Sequence, residues 1–181
     1  MKKIVLIVLI MGCTTEPEDC AGGAGGSAEL DDCGVCDSNA YNDCQDCSTY
    51  FDNFQSSQQA FYYFKNVTLN GVNISAEDRV AAFKGEICVG SRQWDTDPEN
   101  CGGGVCEVPV NGYDGNFPEE TAGYMFPGDI PIFKIYDVSN RLIYTATPDI
   151  EYQWIETHIF GTDPLMDLVA DTTSAAPCSN E

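Results

Sequence analysis

The stretch Arg79–Trp94, RVAAFKGEICVGSRQW, reads as two short strands around a turn at Lys84-Gly85. With that turn, Phe83 faces Glu86, Ala82 faces Ile87, Ala81 faces Cys88 and Val80 faces Val89. Side chains alternate faces along a strand, so Val80, Ala82, Ile87 and Val89 share one apolar face. Glu77 then lies opposite Arg92, an opposite-charge pair. A hairpin with one apolar face cannot stand alone in water, so the rest of a domain must cover it.

Outward from the hairpin, the pattern continues in strands. Gln59 to Leu69, QAFYYFKNVTL, is aromatic and β-branched, and Asn70-Gly71 after it is a two-residue hairpin signal leading into Val72 to Ser75. Val105 to Val110, Ile130 to Tyr136, Arg141 to Thr145, Trp154 to Phe160 and Leu165 to Ala170 are further candidates. No convincing amphipathic helix intervenes. About eight short strands with turns between them predict an all-β domain, an antiparallel β-sandwich over residues 50–170. The segment between Val110 and Ile130 is long and turn-rich, as functional loops often are. Residues 171–181 read as a small, polar tail.

The chain has 181 residues, room for one core plus tails, and 43% of them are hydrophobic. Eight basic against 29 acidic residues give a net charge of −21, which excludes charge-driven binding to nucleic acid or an anionic membrane surface. The same excess suits a solvated extracellular surface or divalent cations. Ten cysteines imply disulfides outside the cell or metal sites inside it.

The N-terminus decides for export. Lys2 and Lys3 precede an apolar run, Ile4 to Met11, too short to span a bilayer, and Gly12-Cys13 follows. Ile10-Met11-Gly12-Cys13 resembles the lipobox of bacterial lipoproteins. That resemblance implies a signal peptide over 1–12, cleavage before Cys13, a lipid on its sulfur, and a membrane anchor. Thr14 after the cysteine favours the outer membrane or cell surface.

Residues 13–49 lack a hydrophobic period. Ala21 to Ala28, AGGAGGSA, reads as a flexible linker. Cys33-x2-Cys36 and Cys44-x2-Cys47 fit either a zinc site or disulfides, and export favours disulfides. The disulfide candidates are Cys20, Cys33, Cys36, Cys44, Cys47, Cys88, Cys101, Cys106 and Cys178; Cys101 and Cys106 bracket a glycine-rich loop and are the most plausible pair. Asp31-Asp32-Cys33-Gly34-Val35-Cys36-Asp37 and Asp43-Cys44 resemble acidic Cys repeats akin to thrombospondin type 3 calcium repeats. The resemblance implies a Ca²⁺ held by oxygens of Asp31, Asp32, Asp37, Asn39 and Asp43 in the stalk; the alternative is a cross-linked stalk without an ion.

The hairpin also carries a resemblance. Asp78 to Gly90, with Val80-Ala81-Ala82-Phe83, Gly85-Glu86 and Cys88-Val89-Gly90, is similar to extracellular sandwich modules of the D-x-V-A-A-F-x-G-E-x-C-V-G type. Gly128-Asp129, Pro131 and Phe133-Lys134-Ile135-Tyr136-Asp137 fit their later motif. Such modules are appended to surface proteins and carry no assigned reaction.

The single histidine, His158, has no G-x-S-x-G or H-E-x-x-H motif to serve. The expected function is therefore non-catalytic: a lipid-anchored protein whose sandwich meets an extracellular protein or glycan partner in adhesion, assembly or recognition. One alternative is a carbohydrate-binding module in which Trp94, Tyr113, Tyr124 and Trp154 stack on sugar rings; the competing reading of the tryptophans is packing. A second alternative is a small hydrolase using paired carboxylates.

Overall fold

A computed structural model describes residues 17–30, 36–37, 47, 49–97 and 99–177. The chain divides into two compact units, residues 1–44 and 45–181.

In the first unit, β1 (Glu29–Leu30) pairs antiparallel with β2 (Cys36–Asp37), and a disulfide joins Cys20 to Cys36 with Cα atoms 5.7 Å apart. The expected linker 21–28 is a wrapped loop instead. The Asp19 carboxylate accepts from the amides of Ala21 (3.1 Å), Gly23 (2.6 Å) and Ala28 (3.3 Å). Small residues let the backbone close around that carboxylate, which gives orphan N–H groups a charged acceptor.

The second unit is all-β. Its elements are a 3₁₀ turn (Thr49–Phe51), β3 (Gln59–Leu69), β4 (Val72–Asn73), β5 (Arg79–Lys84), β6 (Ile87–Gln93), a second 3₁₀ turn (Gly102–Gly104), β7 (Cys106–Asn111), β8 (Ile132–Asp137), β9 (Leu142–Pro148), β10 (Ile159–Phe160) and β11 (Met166–Pro177). They form one curled nine-stranded sheet, ordered β10-β3-β11-β9-β8-β5-β6, with β4 and β7 on the other side of β3. The pairing is mixed rather than wholly antiparallel, because β10 and β11 both run parallel to β3.

The curl brings the terminal strands β6 and β7 together. A Cβ at Gly90 would run into the Pro109 carbonyl oxygen, so only glycine allows this approach. Pro109 has no N–H to donate and suits a strand paired on one side only. Arg92 binds the Glu107 carboxylate across the gap, and Asn111 Nδ2 donates to the Val89 carbonyl at 2.8 Å. Inside the curl lie Tyr62, Phe64, Val80, Val89, Val108, Val110, Phe133, Ile135, Met166 and Leu168, all essentially dry.

The central hairpin forms, with a different register. Lys84 pairs with Ile87 and Phe83 with Cys88, so the turn is Gly85-Glu86, with a φ of 60° at Gly85, the positive value that a type II′ turn takes at its first position. Beyond it Ala82 pairs with Gly90, leaving Val89 unopposed as a bulge. The bulge keeps Val80, Ala82 and Val89 in the core, while Ile87 lies at its margin, exposed. Arg92 sits opposite Val80, not Glu77. By contrast, Asn70-Gly71 turns as expected, both residues at positive φ, with Leu69 opposite Val72.

The outer face of β5, β8 and β9 carries a second, smaller core. Phe51 from the first 3₁₀ turn covers Ala81, Phe83, Cys88 and Ile143, with Cys47 beside it and Tyr50 and Tyr136 at its edge. Phe51 stacks on Tyr136 at 5.3 Å. The final strand continues past the expected boundary at Ala170: Ala175, Ala176 and Pro177 pair with Tyr144, Ile143 and Leu142. The small residues read as a tail are strand because β9 supplies a partner.

Candidate binding surface

The loop 112–131 is built rather than loose. Asn111, almost fully buried, accepts from the Ser56 amide (3.1 Å) and Gln59 Nε2 (3.0 Å). Asp114 accepts from the Ser57 hydroxyl (2.6 Å) and the Asn116 amide (2.9 Å), and these bonds, the Ser57 hydroxyl first, hold its carboxyl below the usual range. Thr121 accepts from the Asp114 amide at 3.0 Å and donates to the Phe117 carbonyl at 2.6 Å.

Lys84, at the end of β5, ties this loop to the hairpin. Its Nζ pairs with Asp129 Oδ2 at 2.6 Å and donates to the Tyr124 carbonyl at 2.9 Å. Asp129 Oδ2 also accepts from the Phe126 amide at 2.8 Å. The Lys84 bond, with that amide, lowers the Asp129 carboxyl against a smaller opposing effect of burial. On the far side, the Trp154 amide donates to the Asp129 carbonyl at 2.7 Å.

On this scaffold stands an exposed aromatic pair. Tyr113 and Phe126 stack with centroids 5.2 Å apart and 25° between planes, and they are 37% and 49% exposed. The Lys84 ammonium lies 4.9 Å from the Phe126 centroid. Phe117, packed on Phe54 at 5.2 Å, is also exposed. Ile87 contacts Gly123, and Ile130 and Ile132 leave the loop toward β8; all three isoleucines are exposed. Exposed aromatics and aliphatics on this loop and on the first residues of β6 and β8 are the usual mark of an interaction surface.

The aromatic candidates separate. Trp94 (3% exposed), Trp154 (2%) and Tyr124 (4%) are buried, so they cannot stack on a sugar in this structure. Trp154 Nε1 donates to the Val110 carbonyl at 2.9 Å, and Tyr124 Oη accepts from the Phe54 amide at 2.6 Å. Tyr113 alone is at the surface, and its partner Phe126 was not anticipated. The aromatics alternating through NGYDGNFPEETAGYMF were the available signal.

Of the cysteine candidates, Cys20–Cys36 and Cys101–Cys106 are bonded, the latter with Cα atoms 4.9 Å apart, and Cys47 is also in a disulfide. Cys88 is not: it is a buried free thiol. It faces Phe51 in the outer core, and burial pushes the thiol up to about 11. Cys13, Cys33, Cys44 and Cys178 lie outside the described residues, as do Asp31, Asp32, Asn39 and Asp43; Asp37 is described only as backbone in β2. Among the described residues no group of three or more metal-ligating side chains is gathered. His158 is exposed and packs on Phe160 at 4.4 Å.

No family model, no curated protein and no solved structure matches this chain.

Proposed function

We propose that this is a non-catalytic, lipid-anchored surface protein whose β domain recognises an extracellular partner through the loop 112–131. The stacked Tyr113–Phe126 pair carries this reading. The two rings are exposed, while the loop beneath them is fixed by Asp114, Thr121 and the Lys84–Asp129 pair. A rigid apolar surface loses little entropy on binding. The lipobox-like Ile10 to Cys13 supports anchoring at the outer membrane or cell surface. The acidic Cys repeat supports a spacer stalk, with calcium among Asp31, Asp32, Asp37, Asn39 and Asp43 as its proposed ligand.

Beads coated with the full chain should adhere to outer surfaces of neighbouring cells. Adhesion should drop at least tenfold for Tyr113→Ala/Phe126→Ala, with the thermal midpoint unchanged. Equal adhesion by that variant would reject this surface. Labelled palmitate entering a Cys13→Ser chain would reject the anchor. Titration calorimetry of the oxidised chain with Ca²⁺ that gives no heat would reject the stalk ion.

A further inference from the structure

We propose a second binding site that does not use the Tyr113–Phe126 pair, although its first hollow borders Glu120 and Tyr124 of the same loop: a groove across the outer face of the sheet that takes a linear, uncharged glycan. Three hollows join end to end there. The first, about 820 Å³ and open, is bordered by Asp52, Asn53, Glu86, Glu120 and Tyr124. It shares Tyr50 and Glu86 with the second, about 170 Å³, which also touches Lys134, Thr145 and Ser174. Thr145 and Ser174 are in turn shared with the third, about 350 Å³, which continues over Thr147, Asp171 and Thr173.

Register explains the continuity. Lys134 on β8 pairs with Thr145 on β9, and Thr147 pairs with Val169 on β11. These side chains share the outer face and step across strands about 4.8 Å apart. Beyond Ala170 the register slips, so that Asp171 to Ser174 bulge opposite Thr145. Ser174 Oγ bonds to the Thr145 carbonyl at 3.2 Å, closing one wall.

The middle of the groove is held in place. The Tyr50 ring lies 5.0 Å from Phe83. The Lys134 ammonium lies 4.4 Å from the Phe83 centroid and 5.1 Å from that of Tyr50, and it donates to the Tyr50 hydroxyl. Glu86, 3.5 Å from Lys134, leaves its carboxylate 86% exposed. The lining thus sets hydroxyls, an amide and carboxylates among apolar side chains, with Ile87 and Ala122 in the first hollow, Ile143 and Ala176 in the second and Val169 in the third, around one fixed tyrosine. Hydroxyl-rich ligands are bound by such sets, because carboxylates and amides take neighbouring sugar hydroxyls and apolar side chains take the C–H face of a pyranose. Asp52, Glu86, Glu120 and Asp171 outnumber Lys134, so an anionic polymer is repelled. An extended peptide is disfavoured, because a sheet face offers no backbone ladder to extend. Three successive hollows suit a chain of several sugar units.

The test is titration calorimetry of the full chain with linear hexasaccharides of β-linked glucose, xylose and N-acetylglucosamine, and with their trisaccharides. At least one hexasaccharide should bind, at least tenfold more tightly than its trisaccharide. Thr145→Arg/Thr147→Arg, at exposed strand positions that leave the fold intact, should weaken it at least tenfold. Tyr113→Ala/Phe126→Ala should leave it unchanged, which separates this site from the stacked aromatic pair. The proposal is overturned if no hexasaccharide binds at millimolar concentration, if the arginine variant binds equally well, if only the loop variant loses binding, or if peptides compete for the groove.

Discussion

The two faces of the curled sheet are made from the same strands and solve different problems. Inward, β3, β7, β8 and β11 place alternate residues in a dry core closed on itself. Outward, two strands that also feed that core, β5 through Val80 and Ala82 and β9 through Tyr144 and Ala146, carry Phe83 and Ile143 under the Phe51 cover, then Thr145 and Thr147 open to water. The inner face needs complementarity everywhere; the outer face needs it only beneath one 3₁₀ turn. Stability is therefore concentrated inside and along one outer patch, and the remaining surface is free to bind.

The sharpest way to break this contrast is at Trp154. Trp154→Ala removes a large buried side chain and should cost about 4 kcal/mol in urea unfolding, enough to unfold a marginal domain. Gly90→Ala comes next, at about 3 kcal/mol, because the added methyl meets backbone that cannot move aside cheaply. Phe51→Ala tests whether the outer patch is a true core: a loss of about 3 kcal/mol is expected, and a loss below about 0.5 kcal/mol, ordinary for surface sites, would make it a mere cover. Cys88 refines the same point: a thiol reagent at pH 8 should not label it in the native chain, and should label it fully in denaturant. Labelling at the same rate in both states would mean that the Phe51 cover opens freely.

The smallest effect is the pH response of the Lys84–Asp129 pair. Asp129 has its folded pKa lowered by Lys84. Its contribution is therefore complete above the unfolded carboxylate pKa and is lost as pH falls through the lower folded value. Stability should decline on acidification below about pH 5, and Asp129→Asn should flatten part of that decline. An unchanged slope in the variant would remove this pair from the acid response. A pair exposed to this degree, 32% and 34%, contributes little, so the change in slope is the readout.

Strand existence was legible because it is local. Aromatic and β-branched runs marked β3 and β8, and Asn70-Gly71 marked its turn. The hairpin register was not legible, because the extra residue at Val89 answers to Pro109 and Asn111 far along the chain. The parallel pairing of β3 with β10 and β11 joins residues about a hundred positions apart, beyond any periodicity. For Trp94 and Trp154 packing was the stronger reading of the sequence, and both are buried. Tyr113 was found by its polar company, and Phe126, between Met125 and Pro127, was missed because it has none. In the cysteine segment, pairing depends on distances that spacing does not determine, and the loop around Asp19 shows that glycine-rich composition can mean close wrapping as well as slack.

The meeting of β6 with β7 has one more effect. A sheet whose two end strands lean on each other withholds its unpaired amides and carbonyls from strangers. Crowded copies would lack a template along that seam, and only the short strands β4 and β10 of this sheet, two residues each, keep an open edge among the described residues.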